Sequence, residues 1–404
     1  MTATSPLSQP ETPPRPPGAS AQVRIAVFYA TVFTVLGVFT AFGAIWFAEQ
    51  GIAESRIGII SAVPVAILLM TNLWVGRIAD RAPDWRQAIV GLFWVSALGS
   101  LGLFLGGGFW PILLFWTLLS VAQGLAIPIT DAAAIRLARR EDFDYPGVRA
   151  WGTVGYIGSI FLAGLAVAAF GPAAYVPLVV AMTVLRAATT HWLPRFRAAP
   201  GAESSAGGAR HLRDVLKPWF VLPLVGWSMV FGTFLVLNTF QALLWKQQGI
   251  GPGWITFLIA LAPAAETAMF FQFRRLARRF RARHLILASG VLAIFRWLCF
   301  AASPGVFWLI PLQLMHAFTF AMGFMGCVAF IANWTSEDIA AEAQSFFYVL
   351  QQLFAVITLT GFGWLTERYG AHAYYASALF SLAGVALIAL SLKLQEAPAP
   401  KPSA

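Results

Sequence analysis

The stretch IWFAEQGIAESRIGIISAVP at residues 45–64 has a counterpart, LWKQQGIGPGWITFLIALAP at residues 244–263, about two hundred residues later in the chain. Each stretch closes one apolar run, passes a short turn with a Gly-Ile pair, and opens a second apolar run that reaches a proline. Pro111 and Pro311 are separated by a similar offset. We therefore predict that the chain contains two copies of one structural unit.

Apolar runs long enough to cross a bilayer as a helix continue on both sides of these stretches. They fall at residues 24–47, 57–77, 88–107, 109–138, 147–170, 173–193, 219–245, 254–273, 284–303, 306–333, 342–366 and 371–393. The chain has 404 residues, of which 59% are hydrophobic and 11% charged, and its mean hydropathy is +0.72. Soluble domains carry about a quarter charged residues. Because lipid leaves helices as the structure for such runs, we predict an all-α membrane protein with twelve transmembrane helices.

A polar linker divides these segments six and six. Residues 195–217 include GAESSAGGAR, which has the composition of a flexible linker. We predict six-helix bundles at 22–194 and 218–394, a proline-rich disordered tail at 1–21, and a second disordered tail at 395–404. Two parallel six-helix repeats with a site at the midplane between them are the architecture of the major facilitator fold.

Arginine and lysine concentrate in the loops after the second, fourth, sixth and eighth segments, as in Arg274, Arg275, Arg278 and Arg279 after the eighth. The positive-inside rule then places these loops and both termini in the cytoplasm. The net charge of +10 resides largely in these loops, so we infer no nucleic-acid partner. The chain shows no metal-ligand spacing and no phosphate-binding loop, so we expect neither a metal nor a cofactor.

The motif GRIADRAPDWR at residues 76–86 resembles the loop between helices two and three of the major facilitator superfamily. Gly76, Asp80, Arg81 and Arg86 match that signature, although its usual glycine after the Asp-Arg pair is absent. The resemblance implies that these four residues form a gating loop.

Three further stretches resemble one subfamily, which contains the lactose permease and the 3-phenylpropionate permease. They are DYPGVRAWGTVGYIGS at residues 144–159, PAAETAMFF at 263–271 and IFRWLCFAASPGVFWLIPLQLMHAFTF at 294–320. The resemblance implies a monomeric proton symporter of the bacterial inner membrane. It favours an aromatic carboxylate as the solute.

In the first half, the resemblance assigns Asp131 and Arg149 to an acid–arginine pair that binds substrate. Tyr156 stands where the lactose permease has a tryptophan that stacks on the sugar. In the second half, Glu266, Arg296 and His316 match polar residues that bind substrate and transfer protons. Thr319 replaces the proton-carrying glutamate of that permease, which argues against a plain sugar permease.

Helix length alone places three of these residues at one depth. At about 1.5 Å per residue, Glu266, Arg296 and His316 each lie roughly 14–18 Å inside their segments, near the midplane of a core about 30 Å thick. Because isolated charges at that depth are costly, we expect Glu266 to pair with Arg296, with His316 within reach. Glu266, Asp131 and His316 are the candidates for proton coupling, and Arg149 and Arg296 for binding an anion.

The spacing leaves two arrangements open for Asp131 and Arg149. A turn centred near Arg140 places them level across a hairpin, as a binding pair. A turn near Asp144, with Asp144 as cap and Pro146 at the helix start, places Arg149 lower, near the cytoplasmic mouth.

Other polar residues have weaker assignments. Asn238, Gln241 and Gln313 are candidates to line the cavity, or else to bond between helices. Arg186 lies near a segment end, where we expect it to reach the lipid headgroups. Phe39, Phe42, Tyr156 and Phe320 are the aromatic residues that we expect in the cavity wall.

The alternatives to a proton symporter for an organic acid are a drug-efflux antiporter and a sugar or nucleoside symporter. A membrane enzyme is disfavoured, because no nucleophile is accompanied by a base. A scaffold without transport activity would have little reason to keep charged residues at the midplane of both halves.

Overall fold

The computed structural model describes residues 20–81, 85–194, 196, 216–335 and 337–394. Twelve long helices make up nearly all of these residues, and no β-strand occurs within them. The helices are α1 (Ala21–Glu49), α2 (Glu54–Arg81), α3 (Trp85–Gly102), α4 (Phe109–Glu141), α5 (Tyr145–Phe170), α6 (Tyr175–Thr190), α7 (Pro218–Gln247), α8 (Pro252–Arg279), α9 (Ala282–Ala301), α10 (Val306–Trp334), α11 (Glu337–Tyr369) and α12 (Tyr374–Leu392).

Eleven stretches among the described residues are long and apolar enough to span a membrane. The last of them, Glu342–Leu392, has 51 residues and contains most of α11 and all of α12, joined by the 3-10 turn Gly370–Ala373. A single helix of that length would extend roughly 76 Å, more than twice the thickness of the hydrocarbon core. The stretch therefore crosses twice, and the predicted twelve crossings are confirmed.

The helices form two groups of six, as predicted. In the first group α3 packs against α4 and α6, and in the second α9 packs against α10 and α12. The main contacts between the groups join α1 to α7, α2 to α11 and α5 to α8. The tails and most of the linker predicted from the sequence lie outside the described residues.

The two quoted stretches fold into the same turn. Gly51 and Gly249 follow α1 and α7 with positive φ angles of 73° and 82°, a conformation that glycine adopts without strain. In each turn the following isoleucine N–H donates to a carbonyl of the last helical turn, Ile52 to Phe47 at 3.2 Å and Ile250 to Trp245 at 2.9 Å. The repeat seen in the sequence is thus a repeat of backbone geometry.

A second repeated contact joins the third and fourth helices of each group. The Ser96 hydroxyl of α3 donates to the Leu119 carbonyl of α4 at 2.9 Å. The Ser289 hydroxyl of α9 donates to the Thr319 carbonyl of α10 at 2.7 Å. Both contacts give a buried serine hydroxyl an acceptor within an apolar bundle, where an unpaired polar group would be costly.

The two groups meet at one end of the molecule, where α1 and α7 end, which we call the closed side. There Lys246 forms an ion pair with Glu49, and the Gln247 amide donates to Glu54 at 2.9 Å. Gly58 of α2 and Gly363 of α11 cross so closely that a Cβ on Gly363 would lie 2.7 Å from the Glu54 carbonyl oxygen. The opposite end, where α1 and α7 begin, is the open side.

Replacing Gly363 by valine is expected to hold the closed side apart. Overpacking a contact of this kind costs about 1–3 kcal/mol, and opening relieves it. The measurement is the distance between spin labels at Ala53 and Gly253, on a cysteine-free background, which should lengthen in Gly363→Val. Gly361→Val is the matched control on the same helix, because a Cβ at Gly361 meets no atom within 4 Å. Equal distances in the two variants would contradict the close crossing.

Candidate functional site

A central cavity of about 650 Å³ lies between the two groups of helices. A second chamber of about 300 Å³ adjoins it, and the two share lining residues. The shared residues are Leu36, Thr40, Tyr156 and Asn238. The cavity extends to Tyr145 and Pro146 in the first turn of α5, so it reaches the open side.

Much of the cavity wall is aromatic. Phe33, Tyr156, Phe270, Phe271 and Phe320 line the central cavity, and Phe39 lines the second chamber. The expectation for Phe42 was wrong, because its ring is 2% exposed and packs within the hydrophobic core.

Arg296 of α9 is fully buried, and its guanidinium donates only to neutral acceptors among the described residues. Its Nη2 donates to Gln313 Oε1 at 2.6 Å, and its Nη1 lies 3.1 Å from His316 Nδ1 and 3.3 Å from Thr319 Oγ1. All three acceptors belong to α10. A buried cation of this kind is stable only while those acceptors stay in place.

The local shape of α10 supplies these acceptors from one face. The α-helical geometry of α10 is interrupted after Leu314, and the chain continues through a π-helical turn at Ala317–Ala321. Such single π turns are frequent at functional sites. The Thr319 carbonyl within the turn accepts the hydrogen bond from Ser289, which holds the turn against α9.

The geometry around His316 fixes which of its nitrogens carries a proton. Arginine is a donor without acceptor capacity, so His316 Nδ1 must accept from Arg296. The imidazole is then neutral, with its proton on Nε2. That nitrogen faces Glu266 Oε2 at 3.6 Å.

The expected direct pair between Glu266 and Arg296 was therefore wrong. His316 lies between them, because Arg296 turns toward the acceptors of α10 while Glu266 of α8 faces the cavity. The Glu266 side chain is 24% exposed. Arg296 is not among the residues that line either chamber.

Two glutamine side chains connect Arg296 to the cavity through hydrogen bonds. Gln313, which is fully buried, accepts from Arg296 and donates from Nε2 to Gln241 Oε1 at 2.9 Å. Gln241 lines the central cavity, and Asn238, one helical turn earlier on α7, lines both chambers. Of the three predicted amides, Gln241 and Asn238 thus face the cavity and Gln313 lies behind them.

In the first half, Arg149 of α5 pairs with Asp131 of α4, with 3.5 Å between Nε and Oδ1. Their side chains are 33% and 29% exposed, respectively. The Tyr29 hydroxyl also donates to Asp131, and the Arg149 guanidinium lies 4.3 Å from the centre of the Phe33 ring. Arg149 lines the cavity, whereas Asp131 lies behind it.

Each of the two arrangements left open by the sequence is partly right. Asp144 caps α5 and accepts from the Gly147 N–H at 2.9 Å, so the turn lies where the second arrangement put it. The pair of the first arrangement forms nonetheless, because the long side chain of Arg149 reaches Asp131 across the difference in depth.

The expectation that Arg186 reaches the headgroups was wrong. Its side chain is fully buried inside the first group, where it donates to Gln123 Oε1 at 2.6 Å and to Ser96 Oγ at 2.8 Å. It also lies 3.4 Å from the Val32 carbonyl oxygen, next to the interruption of α1 at Phe33. The sequence contains one indication that Arg186 is buried, which is its polar partner Gln123 within the apolar run of α4.

Of the four residues predicted to form a gating loop, Arg86 is the one whose side chain lies within the described part of the chain. It lies in the first turn of α3 and donates to the His191 carbonyl at the end of α6. Gly76, Asp80 and Arg81 belong to α2, and their side chains lie outside the described part of the chain.

Residues 22–355 of the chain match the MFS_1 like family. The sequence is 26% identical over 371 residues to a probable 3-phenylpropionic acid transporter of Escherichia coli (strain K12), covering 89% of this chain and 94% of that protein. It is 25% identical over 392 residues to a maltose permease of Geobacillus stearothermophilus, covering 93% and 96%. The fold matches that of a nucleoside transporter NupG variant with a TM-score of 0.82 at 16% identity, over 93% of this chain and 100% of that one.

His316→Leu is expected to destabilise the protein more than His316→Asn. Leucine leaves the buried Arg296 short of an acceptor, which costs about 1–3 kcal/mol, whereas the asparagine oxygen can replace Nδ1. The measurement is the thermal unfolding midpoint of the purified variants in one detergent. Equal losses of stability would contradict the acceptor role of Nδ1.

Proposed function

The chain belongs to the MFS_1-like family, and from that premise we propose that it carries a small organic anion together with a proton across a bacterial inner membrane. It is a multi-pass membrane transporter of a small molecule, and its relatives and structural neighbours are transporters rather than enzymes. The solute, the coupling to protons, the monomeric state and the cytoplasmic position of the termini are the parts that we propose.

The observation that carries the proposal is the position of Glu266. Its carboxylate lines the central cavity and contacts His316, whose other nitrogen is committed to Arg296. Asp131, the other acid predicted from the sequence, is already held by Arg149 and Tyr29. Glu266 is therefore the acid best placed to exchange a proton with the cavity.

Coulomb repulsion links that proton to the solute. An anion that enters the cavity lies near the Glu266 carboxylate, and like charges in a medium of low dielectric constant repel strongly. Protonation of Glu266 removes the repulsion, so the proton and the anion favour each other's binding. By reciprocity, each increases the affinity for the other by the same factor.

Three features support an aromatic carboxylate as the solute. The cavity has aromatic walls, Arg149 places a guanidinium at its lining, and one relative is a probable 3-phenylpropionic acid transporter. A guanidinium matches a carboxylate in shape and charge, and aromatic rings pack favourably on one another. Arg149 would bind the anion when it exchanges Asp131 for the solute.

Alternating access follows from the two ends of the molecule. In this conformation the closed side is sealed by the crossing of α2 and α11, and the cavity reaches the open side. The basic loops place the open side in the cytoplasm, so we assign the conformation as the one that releases solute inward. Separating Gly58 from Gly363 would expose the cavity to the other side.

A sugar or nucleoside is the second candidate for the solute. The amide of Asn238 in the cavity lining favours it, because an amide can both donate to and accept from a sugar hydroxyl, whereas a carboxylate only accepts. In a competition assay, excess maltose or uridine should inhibit solute uptake if the solute is a sugar or a nucleoside. If the solute is an organic acid, the same excess should leave uptake of 3-phenylpropionate unchanged.

Glu266→Gln is expected to abolish proton-driven accumulation and to retain exchange. Glutamine cannot bind and release a proton, yet it fills the same space and lacks the repelling charge. The measurement is uptake of labelled 3-phenylpropionate into proteoliposomes, first with an inward proton gradient and then as exchange against internal unlabelled solute.

The matched control is Glu141→Gln, at the exposed end of α4, which should accumulate solute like the unmodified protein. Full gradient-driven accumulation by Glu266→Gln would remove Glu266 from proton coupling.

A further inference from the structure

Each half of the protein contains one arginine that is 0% exposed and has no carboxylate within ion-pair distance among the described residues. These are Arg186 in the first half and Arg296 in the second, both fully buried. Each donates at 2.6 Å to the side-chain oxygen of a glutamine, Gln123 and Gln313 respectively. The two halves thus share a chemical arrangement, although the arginines come from α6 and α9, which are not equivalent helices.

The arginine decides which way the glutamine amide faces. Because a guanidinium only donates, Gln123 must direct its oxygen at Arg186 and turn its NH2 group away. Gln123 lines the second chamber, and its NH2 group donates to no described protein group. The rotation that would present the oxygen to the chamber would place two donors against each other.

In the second half, Arg296 orients an amide of the cavity lining in the same way, but through one additional glutamine. Gln313 directs its oxygen at Arg296 and donates to the oxygen of Gln241, so Gln241 also turns its NH2 group away from the network. Gln241 lines the central cavity, and its NH2 group donates to no side chain or carbonyl in the described ranges.

We propose that the NH2 groups of Gln123 and Gln241, oriented by the buried Arg186 and Arg296, are specificity-determining donors for the oxygens of an anionic solute. Arg186 is a positioning residue, since it acts on the solute through Gln123. Both amides offer donors and withhold their acceptors, so the site favours a solute group that only accepts, as a carboxylate does. The two buried positive charges behind them favour an anion further.

This inference rests on the proposed function, because it names the residues that select the anion. Its test is the dissociation constant of the purified protein for two probes, 3-phenylpropionate and the neutral 3-phenylpropionamide, from titrations of tryptophan fluorescence. Gln123→Glu keeps an acceptor for Arg186, removes the donors and adds a negative charge, and Gln241→Glu does the same at Gln313. Gln123→Met and Gln241→Met remove the donors without adding a charge that would repel the carboxylate. Each should weaken binding of the carboxylate by about tenfold or more and change binding of the amide far less.

The matched control is Gln272→Glu, because Gln272 accepts from Arg275 on the exposed surface of α8 and does not line the cavity. Arg186→Met should reduce the preference for the carboxylate over the amide, and Arg186→Lys should restore part of it. A purely structural role would change binding of both probes alike. Gln123→Met replaces Gln123→Glu in the same comparison if the glutamate variant does not fold.

Unchanged binding of 3-phenylpropionate by Gln123→Glu or Gln241→Glu overturns the assignment of that residue and leaves the proposed function intact. An unmodified protein that binds neither 3-phenylpropionate nor other small carboxylates overturns both. A loss that is equal for the two probes in Arg186→Met overturns the positioning role.

Discussion

A guanidinium without a carboxylate, buried among membrane helices, is the constraint on which the site depends. Arg296 lies in a region of low dielectric constant, and its charge is tolerated because three neutral acceptors of α10 surround it. The π-helical turn of α10 and the Ser289 contact place those acceptors. Removing one acceptor leaves a buried donor unpaired, so the three helices α7, α9 and α10 are held in one arrangement.

The contacts of Arg296 determine the surroundings of two groups in the cavity lining, Glu266 and Gln241. Through His316, Arg296 leaves a neutral imidazole whose N–H faces Glu266. In the proposed function, the carboxylate is then the group that exchanges the proton. Through Gln313, Arg296 orients Gln241 so that the NH2 group of Gln241 points away from the network. The proposed coupling therefore separates two roles that a carboxylate paired directly with Arg296 would have merged. Glu266 exchanges the proton, and the arginine behind it supplies fixed charge and orientation.

Features that depend on local sequence could be predicted. The twelve crossings follow from hydropathy and helix length, and the repeated turn follows from Gly51 and Gly249, which only need their neighbours in the chain. The common depth of Glu266, Arg296 and His316 follows from counting residues along each helix. The start of α5 at the Asp144 cap is likewise a local property.

Features that depend on how a helix is rotated about its axis could not be predicted from the sequence. Depth arithmetic does not say which side of α9 faces α10, so it could not choose His316 over Glu266 as the neighbour of Arg296. The same holds for Arg186, whose position near a segment end suggested the headgroups until packing turned it inward against Gln123. The reach of a long side chain also could not be predicted from the sequence, since Arg149 contacts Asp131 although their backbones lie at different depths.

The most direct test of the coupling is the number of protons taken up when 3-phenylpropionate binds. Titration calorimetry in two buffers of different ionisation enthalpy measures that number. The account predicts a binding heat that depends on the buffer in the unmodified protein and loses that dependence in Glu266→Gln. Saturable binding with the same heat in both buffers would contradict it.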